Sequence, residues 1–322
     1  MKYTKIMLIY FISWFSIMSW TINNWLMIWY LMEVCFVMFV GVCVAGKGYS
    51  TSESTMGYYL VQVIFSLVML TFILFYMFNL GYMCSFILTL GLMVKMGMFP
   101  FHFWLILICG KLEWISFFIL GTLMKLIPLI LLYYLFCMSS FLFIIVSSAI
   151  FGSLMGLNNS NIQKMMGYSS MINICWFIYS MSISLSFFLM YFASYVAMLC
   201  WLINVLMKYN IFYVNQFKFS SMNLSSKVMI FIYGLSIFWV SAFLGFLIKW
   251  LVINYFWYVG FKLLMSLMIL ISILAVYFYL QLFFFAMLVF SSWVKWYTIN
   301  FIKFGLLSFM FLLSYFVLFI FY

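Results

Sequence analysis

Gly91-Leu-Met-Val-Lys95-Met-Gly97-Met-Phe-Pro100-Phe-His102-Phe-Trp104 sets a cation inside an apolar run and follows it with two helix-breaking residues. An apolar run of about 20 residues reads as a membrane helix, and Gly97 and Pro100 interrupt this one in mid-membrane. A broken helix is tolerated at that depth only against protein or a water-filled cavity. The stretch therefore predicts a discontinuous helix carrying Lys95 beside its break.

Working outward, the 322 residues are 70% hydrophobic and 5% charged, against about 45–50% and 25% in soluble domains. The solvent for so much apolar surface is lipid. Apolar runs separated by Asn, Ser, Gly and Lys predict about eleven transmembrane helices, near 3–22, 25–45, 56–78, 80–108, 114–135, 140–157, 165–184, 186–208, 227–256, 262–290 and 301–322. The fold class is all-α integral membrane protein, a single polytopic domain over 1–322. The longest polar connectors, 46–55 and 210–227, are too short for separate domains.

All 14 basic residues are Lys, and the acidic set is Glu33, Glu53 and Glu113. The lysines sit singly at the ends of apolar runs rather than clustered on a solvated face, which excludes nucleic acid as a partner. With the N-terminus on side A, that side holds Lys2, Lys5, Lys47, Lys111, Lys164, Lys208, Lys218, Lys227, Lys295 and Lys303, whereas side B holds only Lys262. The positive-inside rule makes side A the matrix or cytoplasmic face and puts the C-terminus opposite. The 43 Phe and 29 Met fit drift in a T-rich organelle genome, so the expected compartment is the mitochondrion. The 7 Cys lack CxxC spacing and read as small buried hydrophobes rather than a disulfide framework or metal site. Lys2 and Lys5 before an apolar run imitate a secretory signal, but no A-x-A-like cleavage site follows. Gly41-Val-Cys-Val-Ala-Gly46-Lys47-Gly48 satisfies most of a phosphate-binding loop, yet Gly48 replaces the Ser/Thr and the segment closes a membrane helix.

Lys95, Lys125, Lys249 and Glu33 fall inside apolar spans. Each ionised group at mid-bilayer costs about 2.5–3.5 kcal/mol on insertion scales. Snorkelling accounts for Lys249, some two turns from its span's end, better than for Lys125 and Glu33 near mid-span. The functional reading is a polar pathway: burial favours the neutral form of a lysine and a nearby carboxylate restores the charge, so making and breaking one ion pair loads and unloads a proton. His102, the only histidine, reads as a relay group or, more plainly, as a helix-break residue satisfying freed carbonyls beside Pro100.

The K-x-G-x-x-P-F-H-F-W string around Lys95 resembles the signature of the subunit 2 family of mitochondrial NADH:ubiquinone oxidoreductase, complex I. Further segments follow in the same order: Trp29-Tyr-Leu-Met-Glu33, residues 53–62, Lys125-Leu-Ile-Pro128, residues 164–176 (KMMGYSSMINICW) and Phe243-Leu-Gly-Phe-Leu-Ile-Lys249-Trp250. The resemblance covers most of the chain to about residue 255. Departures are Ser241 and Ala242 in place of a proline pair, Leu107 in place of a glutamate and Asn173 in place of a histidine.

The resemblance implies antiporter-like inverted repeats, with discontinuous helices near Lys95–Pro100 and near Lys249, a first half-channel bundle over 1–135, a second over 140–290 and a terminal span at 301–322. It implies a switching ion pair of Glu33 and Lys95, Lys125 passing the proton across the middle, and Lys249 in the exit-side half-channel. A pair worth about 3–4 kcal/mol is comparable with moving one charge across about 150 mV. No cofactor is expected in this chain; NADH, FMN, iron–sulfur clusters and ubiquinone would lie on partner subunits, among which neighbouring antiporter-like subunits and lipids such as cardiolipin are the expected contacts. The implied location is the mitochondrial inner membrane, with the N-terminus on the matrix side. The competing readings are another antiporter-like subunit of the same complex, a stand-alone cation/proton antiporter, for which the one deep carboxylate Glu33 is too few, and a structural scaffold, which would not need the mid-membrane lysines. Asn158-Asn159-Ser160 and Asn223-Leu224-Ser225 are acceptor sequons on side A whose glycosylation would contradict a mitochondrial location.

Overall fold

Helices account for the fold that the computed structural model describes over residues 2–45, 49–77, 81–135, 138–218 and 244–288. They run α1 Lys2–Met18, α2 Trp25–Val44, α3 Tyr49–Met77, α4 Gly81–Met96, α5 Phe103–Cys109, α6 Trp114–Gly121, α7 Leu123–Leu135, α8 Met138–Leu157, α9 Ile162–Ile183, α10 Leu185–Lys208, α11 Leu244–Val259 and α12 Lys262–Leu288, with a 3₁₀ turn at Val214–Lys218. Two helices start on capping asparagines: Asn24 accepts from the Leu26 amide at 3.2 Å, and Asn161 from the Gln163 amide at 2.9 Å.

Two predicted single spans are each two helices. The run 80–108 breaks between Met96 and Phe103, as Gly97 and Pro100 require, whereas the run 114–135 breaks at Thr122, where no interruption was expected. Thr122 has φ −122° and ψ −83°, and its hydroxyl bonds back to the Phe118 carbonyl at 2.7 Å, a back-bond of the kind that bends helices. Among the described residues, Trp25–Val44, Thr51–Phe75, Trp114–Leu135 and Leu185–Lys208 are long and apolar enough to cross a bilayer. The all-helical expectation holds, whereas a count of eleven full-length spans does not follow from these lengths. The expected terminal span and Ser241–Ala242 lie outside the described residues.

The chain forms two compact units, Met1–Phe188 and Leu189–Tyr322. In the first, α7 packs against α1, α2, α4, α6 and α9, and α8 lies along α9. Almost every residue of α9 is buried. Small residues permit this: Gly167 sits where a Cβ would come within 3.1 Å of Ile106, and Gly152 where one would come within 3.1 Å of Ile172, the close approach that membrane bundles favour. In the second unit, α12 packs on α11 and on the 3₁₀ turn. Among the described residues Cys35, Cys43, Cys109 and Cys175 are buried free thiols, as read, whereas Cys200 is a free thiol only half-buried.

Candidate functional site

The break after α4 is built by its sequence. Gly97 has φ +72° and its amide bonds the Val94 carbonyl at 3.0 Å, while the Met98 amide reaches back to the Met93 carbonyl at 3.0 Å. This paired closure ends a helix on a left-handed residue, which glycine adopts without strain. A side chain at Gly97 would also meet Leu105 at 2.6 Å. The indole Nε1 of Trp104 donates to the same Val94 carbonyl at 3.1 Å. Lys95 is thereby fixed in the last turn of α4, where the negative end of the helix dipole favours a cation.

Its charge is met from α2. Lys95 Nζ donates to Glu33 Oε1 at 2.5 Å; the lysine side chain is 3% exposed and the glutamate 20%. Residues 62 apart in sequence thus form a buried, charge-assisted hydrogen bond.

Lys95 also lines a cavity of about 20 Å³ that it shares with Lys125, Tyr58, Gln62, Trp104 and Pro128. That is room for about one water molecule. Lys125, fully buried in the first turn of α7, donates from Nζ to the Ser170 hydroxyl at 2.7 Å, and Ser170 in turn donates to the Gly167 carbonyl. Pro128 has no N–H to offer the Met124 carbonyl one turn earlier, and both residues line the cavity. Both helix irregularities therefore face the same hollow, as irregular backbone at membrane depth should.

The remaining predicted residues are placed differently. Lys249 is fully buried within continuous helix α11 of the second unit, five residues after Leu244; the break expected beside it would precede the described residues. His102 is buried at the N-terminal edge of α5 but its side chain makes no capping bond. It stacks with Phe103 at 4.3 Å and lies in a cluster with Phe99 and Phe151, its Nδ1 without a hydrogen-bond partner. Pro100 is exposed in the break. Leu107 points outward, 61% exposed, whereas Asn173 is fully buried.

The other two glutamates are structural in character. Lys5 bonds Glu113 at 2.6 Å and Lys111 bonds Glu53 at 2.7 Å, with half-open side chains. Gln163 Nε2 donates to the Leu112 carbonyl at 2.7 Å. These contacts gather the starts of α1, α3 and α9 around the α5–α6 connector at one end of the first unit. Every glutamate of the sequence therefore has its own lysine. The residues not singled out from sequence, Tyr58, Gln62 and Ser170, all lie within the family-like stretches 53–62 and 164–176; being neutral, they lack the insertion cost that drew attention to the lysines. Among the described residues no three His, Cys, Asp or Glu side chains meet as a metal site would require.

Interrupted helices facing an internal cavity, with a buried Lys–Glu pair at the break, define the class: an antiporter-like membrane subunit. Comparison with known proteins agrees. Residues 78–275 match the family described as NADH:quinone oxidoreductase/Mrp antiporter, TM. The protein named NADH-ubiquinone oxidoreductase chain 2 in Anopheles gambiae is 36% identical over 241 residues, covering 72% of this chain and 71% of that protein. Its namesake in Artemia franciscana is 33% identical over 232 residues, covering 71% and 73%. A chain of respiratory complex I from Thermus thermophilus shares the fold, with a TM-score of 0.77 over 88% of this chain and 70% of that chain at 14% identity. The chain belongs to the NADH-ubiquinone oxidoreductase chain 2 family.

Proposed function

We propose that this chain is a proton-translocating membrane-arm subunit of respiratory NADH:ubiquinone oxidoreductase, in which Glu33, Lys95, Lys125 and Lys249 form a proton relay. The observation that carries the reading is the Lys95–Glu33 contact of 2.5 Å at a helix break opening on the cavity that Lys125 also lines. When Glu33 faces Lys95 the pair holds a proton as an ammonium; when the carboxylate withdraws, the ammonium gives its proton toward Lys125, and Ser170 holds that lysine in place. Lys249 serves the exit side from α11. The half-channel over 1–135 contains the pair and Lys125, and that over 140–290 contains Lys249.

The chain supplies charge movement alone. Oxidation of NADH, flavin and iron–sulfur chemistry and quinone reduction belong to partner subunits, and the neighbours in the membrane are other antiporter-like subunits and lipids such as cardiolipin. The location is the mitochondrial inner membrane, N-terminus on the matrix side; the lysine-rich connectors on side A support that orientation.

The test is the complex carrying Lys95→Met, reconstituted in vesicles. NADH oxidation with fewer protons moved per electron pair is the expected result; an unchanged stoichiometry in the assembled complex removes Lys95 from the relay. Co-migration of the chain with NADH dehydrogenase activity in a native gel separates a subunit from a stand-alone carrier.

A further inference from the structure

Lys95 and Lys125 face one cavity, yet each is held by a partner of its own, Glu33 at 2.5 Å and Ser170 at 2.7 Å. A proton passing between them needs a carrier that accepts on one side and donates on the other. The cavity volume of about 20 Å³ admits about one water. A water stays in so small a hollow only where two to four polar groups hold it.

The polar groups available can be counted off. The Trp104 indole is committed to the Val94 carbonyl; each lysine spends one N–H on Glu33 or Ser170 and as an ammonium keeps further donors for a water but no acceptor. Tyr58 and Gln62 remain. Both are buried, 4% exposed each, both line the cavity, and neither the phenol hydroxyl nor the carboxamide has a hydrogen-bond partner among the described residues. The ring of Tyr58 is held edge-on to Phe39 at 5.2 Å and tilted against Phe36 and Trp104 at 5.5 and 5.8 Å. The hydroxyl is therefore fixed in place. The polar atoms of Tyr58 and Gln62 are not among the wholly enclosed ones that lack a partner, so they open on the hollow they line, and a shared water there gives each a hydrogen bond worth about 0.5–1.5 kcal/mol.

We propose that Gln62, assisted by Tyr58, holds the water through which a proton crosses from Lys95 to Lys125, which makes Gln62 a positioning residue of the relay. This rests on the relay reading given above. In the step, an N–H bond of the Lys95 ammonium breaks as an O–H bond forms on the water. Another O–H bond of that water breaks as an N–H bond forms on the neutral Lys125 amine. One proton has moved, the water is regenerated, and no electron is exchanged. A neutral carboxamide suits the place: it offers both a donor and an acceptor but cannot hold the proton, whereas a carboxylate there would pair with a lysine and trap the charge.

The test uses the whole complex in vesicles, with proton pumping and NADH oxidation measured in H₂O and D₂O. Gln62→Met keeps the length of the side chain and removes its polar atoms. Expected is an approximately tenfold slower pumping rate per assembled complex, as loss of two hydrogen bonds implies, with a larger solvent isotope effect because transfer through the water has become limiting. Tyr58→Phe, which deletes one oxygen and leaves the ring packing, is expected to slow pumping about threefold. Pumping within twofold of the parent and an unchanged isotope effect in Gln62→Met overturn the proposal. Should that variant not assemble, an undiminished rate in Tyr58→Phe overturns it instead. Lys95→Met measured alongside separates the two ideas: full pumping there removes the relay itself, whereas lost pumping there with normal Gln62→Met removes only the water station.

Discussion

Replacing Glu33 by Gln keeps the shape of the side chain and removes the charge that Lys95 faces. The contact is 2.5 Å, with the lysine side chain 3% and the glutamate 20% exposed, so water screens little of the lost attraction. Stripping one partner from a buried pair costs about 3–5 kcal/mol, because the other charge is left behind. The end of α4 offsets about 0.3–1 kcal/mol of this through the helix dipole. With Glu33 one-fifth open, the net loss expected is about 3 kcal/mol, and Lys95→Met should cost about the same by stranding the carboxylate. The double variant removes both charges at once, and exchanging a whole buried pair for neutral groups is close to neutral. It should therefore regain most of the stability. Thermal dissociation of the complex, followed by native gel for the parent, both single variants and the double, closes the cycle; a coupling of about 5–6 kcal/mol, the two single losses less the small loss of the double, is expected. Pumping in the double variant should nonetheless stay low. Losses that simply add would refute the pairing, and pumping that returns together with stability would refute its part in proton transfer.

Three further outcomes follow from the same geometry. Gly97→Ala places a side chain on a residue with φ +72° and 2.6 Å from Leu105; it should destabilise the first unit by about 2–5 kcal/mol, seen as reduced assembly on a native gel, and normal assembly would contradict the tight turn. Ser170→Ala deletes the acceptor 2.7 Å from Lys125 Nζ, a bond to a charged group worth about 1.5–3 kcal/mol, so pumping per assembled complex should fall by about tenfold; no change would show that Ser170 is incidental. Lys111→Met breaks a pair whose side chains are 37% and 60% exposed, so thermal stability should change by less than about 1 kcal/mol with pumping intact, and a loss comparable with that of Lys95→Met would undo the distinction between rim and interior pairs.

Charges were the legible part of this site. Lys95, Lys125, Lys249 and Glu33 stand out because each carries an insertion cost that lipid alone does not tolerate, and Gly97 with Pro100 marks the break because no other residue pair there has a comparable local reason. The partnership of Glu33 with Lys95 came from the family resemblance; spacing along the chain could not supply it, since the two lie on different helices 62 residues apart. Thr122 was not legible as a break, because an isolated Thr in an apolar run continues helices in most settings and its hydroxyl bond to Phe118 exists only once the turn has formed. His102 is a second such case. Its ring packs among Phe99, Phe103 and Phe151, beside the Pro100 backbone, an aromatic surrounding that no local sequence pattern announces. The neutral residues around the cavity carry no such mark in the sequence and become visible only when α2, α3, α4 and α7 are assembled around it.

The two lysines at the cavity differ in what compensates them, and in the proposed relay that difference gives the proton a direction. Lys95 has a carboxylate at 2.5 Å and a helix end, whereas Lys125 has a neutral hydroxyl. The other two glutamates are engaged with Lys5 and Lys111, so this chain can hand Lys125 no carboxylate without breaking another pair. Positive charge is thus better held at Lys95 for as long as Glu33 faces it, and Glu33, the more open partner, is the group able to move. The strength of that one contact then bounds the work done per proton. Glu33→Asp shortens the side chain by one carbon–carbon bond, about 1.5 Å, which weakens the pair by roughly one hydrogen bond, on the order of 1 kcal/mol. At 2.3 kcal/mol per 100 mV, vesicles containing this variant should sustain a limiting potential lower by about 40 mV, while still pumping against a small gradient. A limiting potential equal to the parent's would mean that the work is done elsewhere, and that the Lys95–Glu33 contact only holds α2 to α4.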